Sequence, residues 1–271
     1  MTIKYFGGKS AHYNKIKHLI PQYTKLVSPF FGAGGIELRL DPIGHIEVFN
    51  DIDSNLHNFY AVLQNPSLFN EFIKLVELTP FSEQFFNDSK AYFELPFEYF
   101  GTNVQRAHLF FIRNRLSLGG DGKKFALTTS RLRRNIGENI SSFLNSVDGL
   151  YDLHTRLKFA EFRNMDFRDF ISKYDAENAF LICDPTYMEE TRVGGGYEHE
   201  MTDQDHIDLL NILSDCKSKF LLHGYESDLY KSYEKENGWR RFEYQMSSSA
   251  SFGSEKKKKS EIIWMNYSLD T

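Results

Sequence analysis

Cysteine is nearly absent: the 271-residue chain holds only Cys183 and Cys216. Two isolated cysteines build neither a disulfide framework nor a zinc site, so a reducing cytoplasm is the expected compartment. Long apolar runs are missing as well. Nothing approaches the roughly 20 residues of a membrane helix, and Met1-Thr2-Ile3-Lys4-Tyr5 lacks the apolar core of a secretory leader. No Gly-Lys-Ser/Thr follows the glycine turn at Gly32–Gly35, and its G-x-G-x-x-G is incomplete. A Walker A loop and a dinucleotide site are therefore disfavoured, and a cofactor without a pyrophosphate fits better. No His/Cys cluster offers a metal site, and no internal repeat appears. The net charge of −5 argues against a general nucleic-acid coat protein. What is abundant is aromatic: 25 Phe and 15 Tyr within a 41% apolar composition, more than a core strictly needs.

Apolar runs that end in acids organise the chain. A strand from Lys25 through Val27 leads by way of Ser28-Pro29-Phe30-Phe31 into a glycine turn at Gly32–Gly35, from which a helix is expected. Strand, glycine turn and helix open a nucleotide-binding α/β fold. His45 to Asp53 reads as a second strand ending in acids, of which Asp51 is placed to bind a ribose diol, while Asp53-Ser54 reads as the cap of the next helix. Lys158 to Asp166 is a third, with Asp166 and Phe167 suited to the amine and face of an adenine. Ala179 to Cys183 ends in Asp184-Pro185-Thr186-Tyr187. A carboxylate, a carbonyl beside a ring that blocks further pairing, and an aromatic face make a receptacle for a nucleobase amine. The plainer account of that stretch is a strand followed by an Asp-Pro turn. Phe220–Gly224, Arg241–Met246 and Glu261–Tyr267 are further strands, the last two joined by a Ser/Lys-rich loop. Helical spacing over Pro66–Phe100 signals packing, without chemistry.

Positive charge is concentrated. Arg113, Arg115, Lys123, Lys124, Arg131, Arg133 and Arg134 lie in a glycine-rich, loop-like stretch holding one acid, Asp121. Arginine concentrated on one segment of an acidic protein suggests a local phosphate-binding surface, and arginine also reads guanine edges. Lys256 and Lys257, in the Ser/Lys-rich loop, are a second candidate contact. The competing account is a solvated loop paired with the acidic helices.

Taken in order, these stretches resemble the Dam-type DNA-adenine methyltransferases, which use S-adenosylmethionine. Tyr5-Phe6-Gly7-Gly8-Lys9 is similar to that family's aromatic-x-Gly-Gly-Lys start. Pro29 to Gly34 is similar to its cofactor loop, Asn50-Asp51-Ile52 to its ribose-binding segment, and Asp184-Pro185-Thr186-Tyr187 to its Asp-Pro-Pro-Tyr motif. Glu261-Ile262-Ile263-Trp264-Met265-Asn266-Tyr267 resembles its C-terminal end. The resemblance implies an α/β fold with a Rossmann-like methyltransferase sheet, a C-terminal antiparallel hairpin and a small target-recognition insertion. Residues 1–101 and 147–271 would form the catalytic domain and 102–146 the recognition segment. It implies methyl transfer to N6 of a flipped-out adenine, with Asp184, Pro185 and Tyr187 catalytic. Tyr5, Lys9, Phe30, Phe31, Gly32, Ala33, Gly34, Asp51, Asp166, Phe167 and Asp184 would line the cofactor site. The expected partner is double-stranded DNA, with no membrane or metal, and the protein a monomer or weak dimer. Thr186 stands where the family usually has a second proline, an exchange expected to loosen the turn without removing an acceptor. N4-cytosine methylation, or a weakly active or inactive regulator that binds DNA and S-adenosylmethionine, are the competing functions. A restriction partner, a solitary enzyme and a phage-borne one are equally compatible.

Overall fold

A computed structural model of the chain describes residues 8–9, 11–95, 101–128, 130–191, 199–245 and 260–269. In chain order these form helix α1 (Tyr13–Ile16), strands β1 (Lys25–Ser28) and β2 (Ile46–Asn50), and helices α2 (Ser54–Gln64), α3 (Pro66–Glu77), α4 (Glu83–Phe93) and α5 (Asn103–Leu116). Short strands β3 (Leu132–Arg133) and β4 (Ile136–Gly137), helices α6 (Glu138–Asp148) and α7 (Leu150–Leu157) and strand β5 (Ala160–Arg163) follow. Then come α8 (Phe167–Tyr174), β6 (Ala179–Cys183), α9 (Asp203–Asp215), β7 (Lys219–Gly224), α10 (Asp228–Asn237), β8 (Arg240–Gln245) and β9 (Ser260–Met265). The chain divides into two compact units: Met1–Ala11, Gly32–Leu40 and Asp53–Asn164 form the first, and His12–Phe31, Asp41–Ile52 and Met165–Thr271 the second.

The second unit carries a largely parallel sheet with an antiparallel C-terminal hairpin. Its strands run in the order β2-β1-β6-β7-β9-β8. Strand β1 pairs in parallel with β2 and β6, with Val27 opposite Val48 on one side and Leu181 on the other. Strand β6 pairs in parallel with β7, whereas β9 runs antiparallel to both β7 and β8. Every residue of β6 is buried, which explains its continuous apolar run: a parallel strand covered on both faces has no polar side to alternate with. Helices α8, α9 and α10 contribute Phe170, Ile171, Leu209, Leu210, Leu213 and Tyr230 to a core that includes Val27, Val48, Leu181, Phe220, Leu222 and Trp264. The chain leaves β1 toward β2 and later returns to the opposite side of β1 as β6. The carboxyl ends of β1 and β6 therefore flank a topological switch point, where open α/β sheets bind ligands.

The first unit is helical and absorbs much of the aromatic surplus. Phe59, Phe72, Phe110 and Phe111 from α2, α3 and α5 are fully buried and meet ring to ring at 5.8–6.1 Å. Asp53 caps α2, accepting from the backbone N–H groups of Asn55 and Leu56. The helix expected after the glycine turn is only a single 3-10 turn, Glu37–Arg39. Two causes stop it. Pro42 disfavours helical backbone at Asp41, and Arg156 Nη2 donates to the carbonyls of Glu37 (3.2 Å) and Leu40 (3.3 Å), supplying partners that a further helical turn would otherwise provide.

One polar junction ties α8 to β7. The Asp175 carboxylate accepts from the backbone N–H groups of Lys217 and Ser218 and from the Ser218 hydroxyl at 2.6 Å. Burial pushes this carboxyl up, but the Ser218 hydroxyl and the two N–H groups outweigh it and hold it below the ordinary aspartate value. A carboxylate depressed in the fold contributes stability above its unfolded pKa and loses it as pH falls through the folded one. Asp175→Ala should therefore cost about 1–3 kcal/mol at pH 7, and the difference should shrink below about pH 4. Denaturant unfolding of both proteins at pH 7 and pH 3 checks this; an equal difference at both would contradict it.

Candidate active site

Parallel pairing brings several strand ends of the second unit to one edge of its sheet. Pro29, Asp51, Asp184 and Tyr225 directly follow β1, β2, β6 and β7. Strand β9 runs the other way, with Ile262 opposite Gly224, so Glu261 enters at that same edge.

Asn50, 1% exposed at the end of β2, joins three of these segments. Its Nδ2 donates to the carbonyls of Pro29 (3.1 Å) and Met165 (3.0 Å), and its Oδ1 accepts from Met165 N (3.0 Å). Its own carbonyl accepts from Phe31 N at 2.8 Å. A carboxamide both donates and accepts, so one side chain fixes the Pro29–Phe31 turn and the approach to Phe167 against the strand that delivers Asp51. The sequence marks this residue only weakly, as a carboxamide closing a strand that also carries Glu47.

The aromatic residues in this region divide by depth. Phe31 is buried and stacks on Phe49, with centroids 4.5 Å apart and planes at 11°. Phe30 is half-buried and meets Phe167 at 5.4 Å. Phe167 opens α8 instead of closing a strand, and Asp166 is the cap of that helix, accepting from Arg168 N at 2.8 Å. Arg168 also donates through Nη1 to Asp166 Oδ2 at 3.1 Å, reaches Asp205 and Asp208, and lies 4.4 Å over the Phe167 ring. The sequence-identified pair Asp166 and Phe167 is thus held in orientation by one guanidinium.

At the end of β6, Asp184 is half-buried and Pro185 buried. Thr186 Oγ1 accepts from Met201 N at 3.0 Å, a tether that proline lacks. Tyr187, 9% exposed, donates to Glu261 Oε2 at 2.8 Å and stands 3.5 Å from Asp184 Oδ1. The Tyr225 hydroxyl donates to Glu261 Oε1 at 3.1 Å, and the two tyrosine rings meet edge to face at 4.6 Å. Tyr244 lies nearby: burial, then the charges of Glu261 and Asp184, push its phenol well above the ordinary value, and it bonds His12 Nδ1 at 2.7 Å. None of Glu261, Tyr225, Tyr244 or His12 stood out in the sequence as a member of this group.

The remaining sequence-identified residues belong to the first unit or lie outside the described chain. Gly32 (φ 51°) and Gly34 (φ 60°) adopt the left-handed backbone that favours glycine. Ala33 and Lys9 are buried, and the Gly32 carbonyl accepts from Tyr60 at 2.8 Å. Tyr5, Lys256 and Lys257 lie outside the described residues. In the basic segment, Arg115 is buried, donates to the Ser142 carbonyl at 2.6 Å and is lowered to about 10 by burial. Arg113 lies 4.4 Å over the Phe93 ring. Lys123, Lys124, Arg131, Arg133 and Arg134 are exposed. The loop expected at residues 132–137 is a hairpin of β3 and β4, turning through Arg134 (φ 56°) and Asn135 (φ 62°). Left-handed backbone at both turn residues matches the strand twist, and the Arg134 guanidinium is anchored on the Asn145 side chain.

Among the described residues, no group of three or more His, Cys, Asp or Glu could hold a metal ion, and no helix is long and apolar enough to cross a membrane. The family model described as "D12 class N6 adenine-specific DNA methyltransferase" matches residues 5–247. A relative from Serratia marcescens described as "DNA adenine methylase" is 28% identical over 191 residues, 68% of this chain. The match spans 66% of that relative's length.

The Asn50 junction has a measurable consequence. Asn50→Ala strands the Met165 N–H and two carbonyls in a buried setting and should destabilise the protein by on the order of 3 kcal/mol. Thermal or denaturant unfolding checks this; a loss no larger than that of an exposed Asn→Ala exchange would contradict the junction.

Proposed function

The chain belongs to the D12 class N6 adenine-specific DNA methyltransferase family, and on that premise we propose that it transfers the methyl group of S-adenosylmethionine to N6 of an adenine in double-stranded DNA. The observation that carries this reading is the common sheet edge of the second unit, where Asp184-Pro185 and the Asn50-held Pro29–Phe31 turn flank the switch point.

The cofactor fits the groups present. Asp51 offers a half-buried carboxylate at the end of β2, suited to a ribose diol. The Phe30–Phe167 pair offers an aromatic face, and Asp166 beside it an oriented acceptor for the amine of the cofactor's adenine. Gly32, Ala33, Gly34, Lys9 and Tyr5 are assigned to its methionine end. When bound, S-adenosylmethionine supplies an electrophilic methyl group.

The chain's own residues make the target nitrogen reactive. The lone pair of adenine N6 is delocalised into the ring, so the amine is a poor nucleophile. The Asp184 carboxylate and the Pro185 carbonyl accept its two N–H bonds, which favours a pyramidal nitrogen with an available lone pair. They are acceptors preorganised for the charge that develops in the transition state. A paired base cannot reach them, so the adenine is flipped out and stacks on Tyr187. Positioning then supplies much of the remaining rate.

We assign DNA contact to Lys123, Lys124, Arg131, Arg133 and Arg134 on and before the β3–β4 hairpin, with Lys256 and Lys257 as further contacts. Arg113 and Arg115 support this segment from within. Residues 102–146 serve as the recognition segment of a catalytic chain formed by 1–101 and 147–271. The protein works in the cytoplasm as a monomer or weak dimer.

The test is incubation with methyl-labelled S-adenosylmethionine and unmethylated DNA, followed by nucleoside analysis. Label should appear in N6-methyladenine, and Asp184→Ala should slow transfer by about 100-fold or more while cofactor affinity changes far less. Label in cytosine, no transfer, or full activity in the variant would contradict the proposal.

A further inference from the structure

Glu261 is a buried carboxylate, 5% exposed, whose two oxygens each accept from a different phenol, Tyr187 at 2.8 Å and Tyr225 at 3.1 Å. The Tyr187 hydroxyl also stands 3.5 Å from Asp184 Oδ1, so two carboxylates flank one phenolic proton. A phenol has a single proton to give. Distance assigns it to Glu261. Were it given to Asp184, it would occupy an acceptor site that the proposed chemistry reserves for the target amine.

We propose that Glu261 is a positioning residue which, by accepting the Tyr187 hydroxyl proton, keeps Asp184 an acceptor for the exocyclic amine. This rests on the reading of Asp184 as the residue that accepts from adenine N6. The arrangement is built from long-range pairing. Strand β9 places Glu261 opposite Tyr244 of β8 and one residue before the partner of Gly224, which precedes Tyr225. Tyr225 serves as the second anchor, since its hydrogen bond fixes the carboxylate's orientation and its ring packs edge to face against Tyr187. The Tyr187 ring is thereby pinned at two points, its face position by Tyr225 and its hydroxyl direction by Glu261. Removing the Glu261 acceptor frees the hydroxyl to turn to Asp184, 3.5 Å away.

A suppression experiment tests this. In Glu261→Met, which keeps side-chain length and removes both acceptors, single-turnover methyl transfer should fall by about tenfold, the effect of roughly one hydrogen bond's free energy. Cofactor affinity should hold. Adding Tyr187→Phe, which deletes the hydroxyl that would block Asp184, should make the double variant faster than Glu261→Met alone. Loss of mere packing would instead make the double variant as slow or slower, which would overturn the inference. The crystal structure of Glu261→Met provides a readout that needs no activity. Tyr187 Oη should move to about 3 Å or less from Asp184 Oδ1, and a hydroxyl that stays away from Asp184 overturns the inference. If Glu261→Met does not fold, Glu261→Leu, which also removes both acceptors, takes its place in both comparisons. A wild-type protein that makes no N6-methyladenine would overturn the proposed function, while the crystal structure would still decide the role of Glu261.

Discussion

A single buried carboxamide holds together the segments on which the second unit's ligand edge depends. Asn50 spends both Nδ2 hydrogens and Oδ1 on the Pro29 and Met165 backbone. A parallel sheet aligns its strand ends, but it leaves the residues beyond them as loops with unpaired backbone groups. In the dry setting of Asn50, each such group left unpaired would cost about 1–3 kcal/mol. The side chain therefore does two things at once: it satisfies the loop backbone and sets where Phe30, Asp51 and Phe167 begin. The Arg168 guanidinium continues the same arrangement one turn further, orienting Asp166 and covering the Phe167 ring.

The second organised region is polar and largely buried, with Tyr225 half-buried at its edge. Tyr187, Tyr225 and Glu261 share hydrogen bonds, with Tyr244 and His12 alongside. In a low-dielectric setting such a network is strong when satisfied and costly when broken. That is why the orientation of one phenolic proton matters. In the proposed chemistry it decides whether Tyr187 competes with the substrate amine for Asp184.

Much of this architecture was legible because burial on both faces leaves a simple mark. Val48-Phe49 and Phe180-Leu181-Ile182 read as strands, and the acids that follow them, Asp51 and Asp184, lie where a sheet edge would put them. The Asp53 cap of α2 was also a local signal, and it is present. The misreadings have local or long-range causes. The helix after Gly35 is cut to one turn by Pro42 and by an arginine 119 residues from Glu37. Asp166 looked like a strand end because a helix cap carries the same residue type. Arg115 looked exposed because a charge run does not reveal which of its members face a core. Asn50, Tyr225 and Glu261 gained their roles only through partners 115, 36 and 74 residues away, which no local pattern encodes.

The Asp184 carboxylate and the Pro185 carbonyl, as joint acceptors for an adenine amine, are the centre of the proposed chemistry. The most direct measurement is a crystal structure with a non-reactive analogue of S-adenosylmethionine and a DNA duplex that the protein methylates. The adenine should stand outside the base stack, with N6 about 3 Å from both an Asp184 oxygen and the Pro185 carbonyl oxygen and its ring against Tyr187. An adenine still paired in the duplex, or an N6 that touches neither acceptor, would contradict the account.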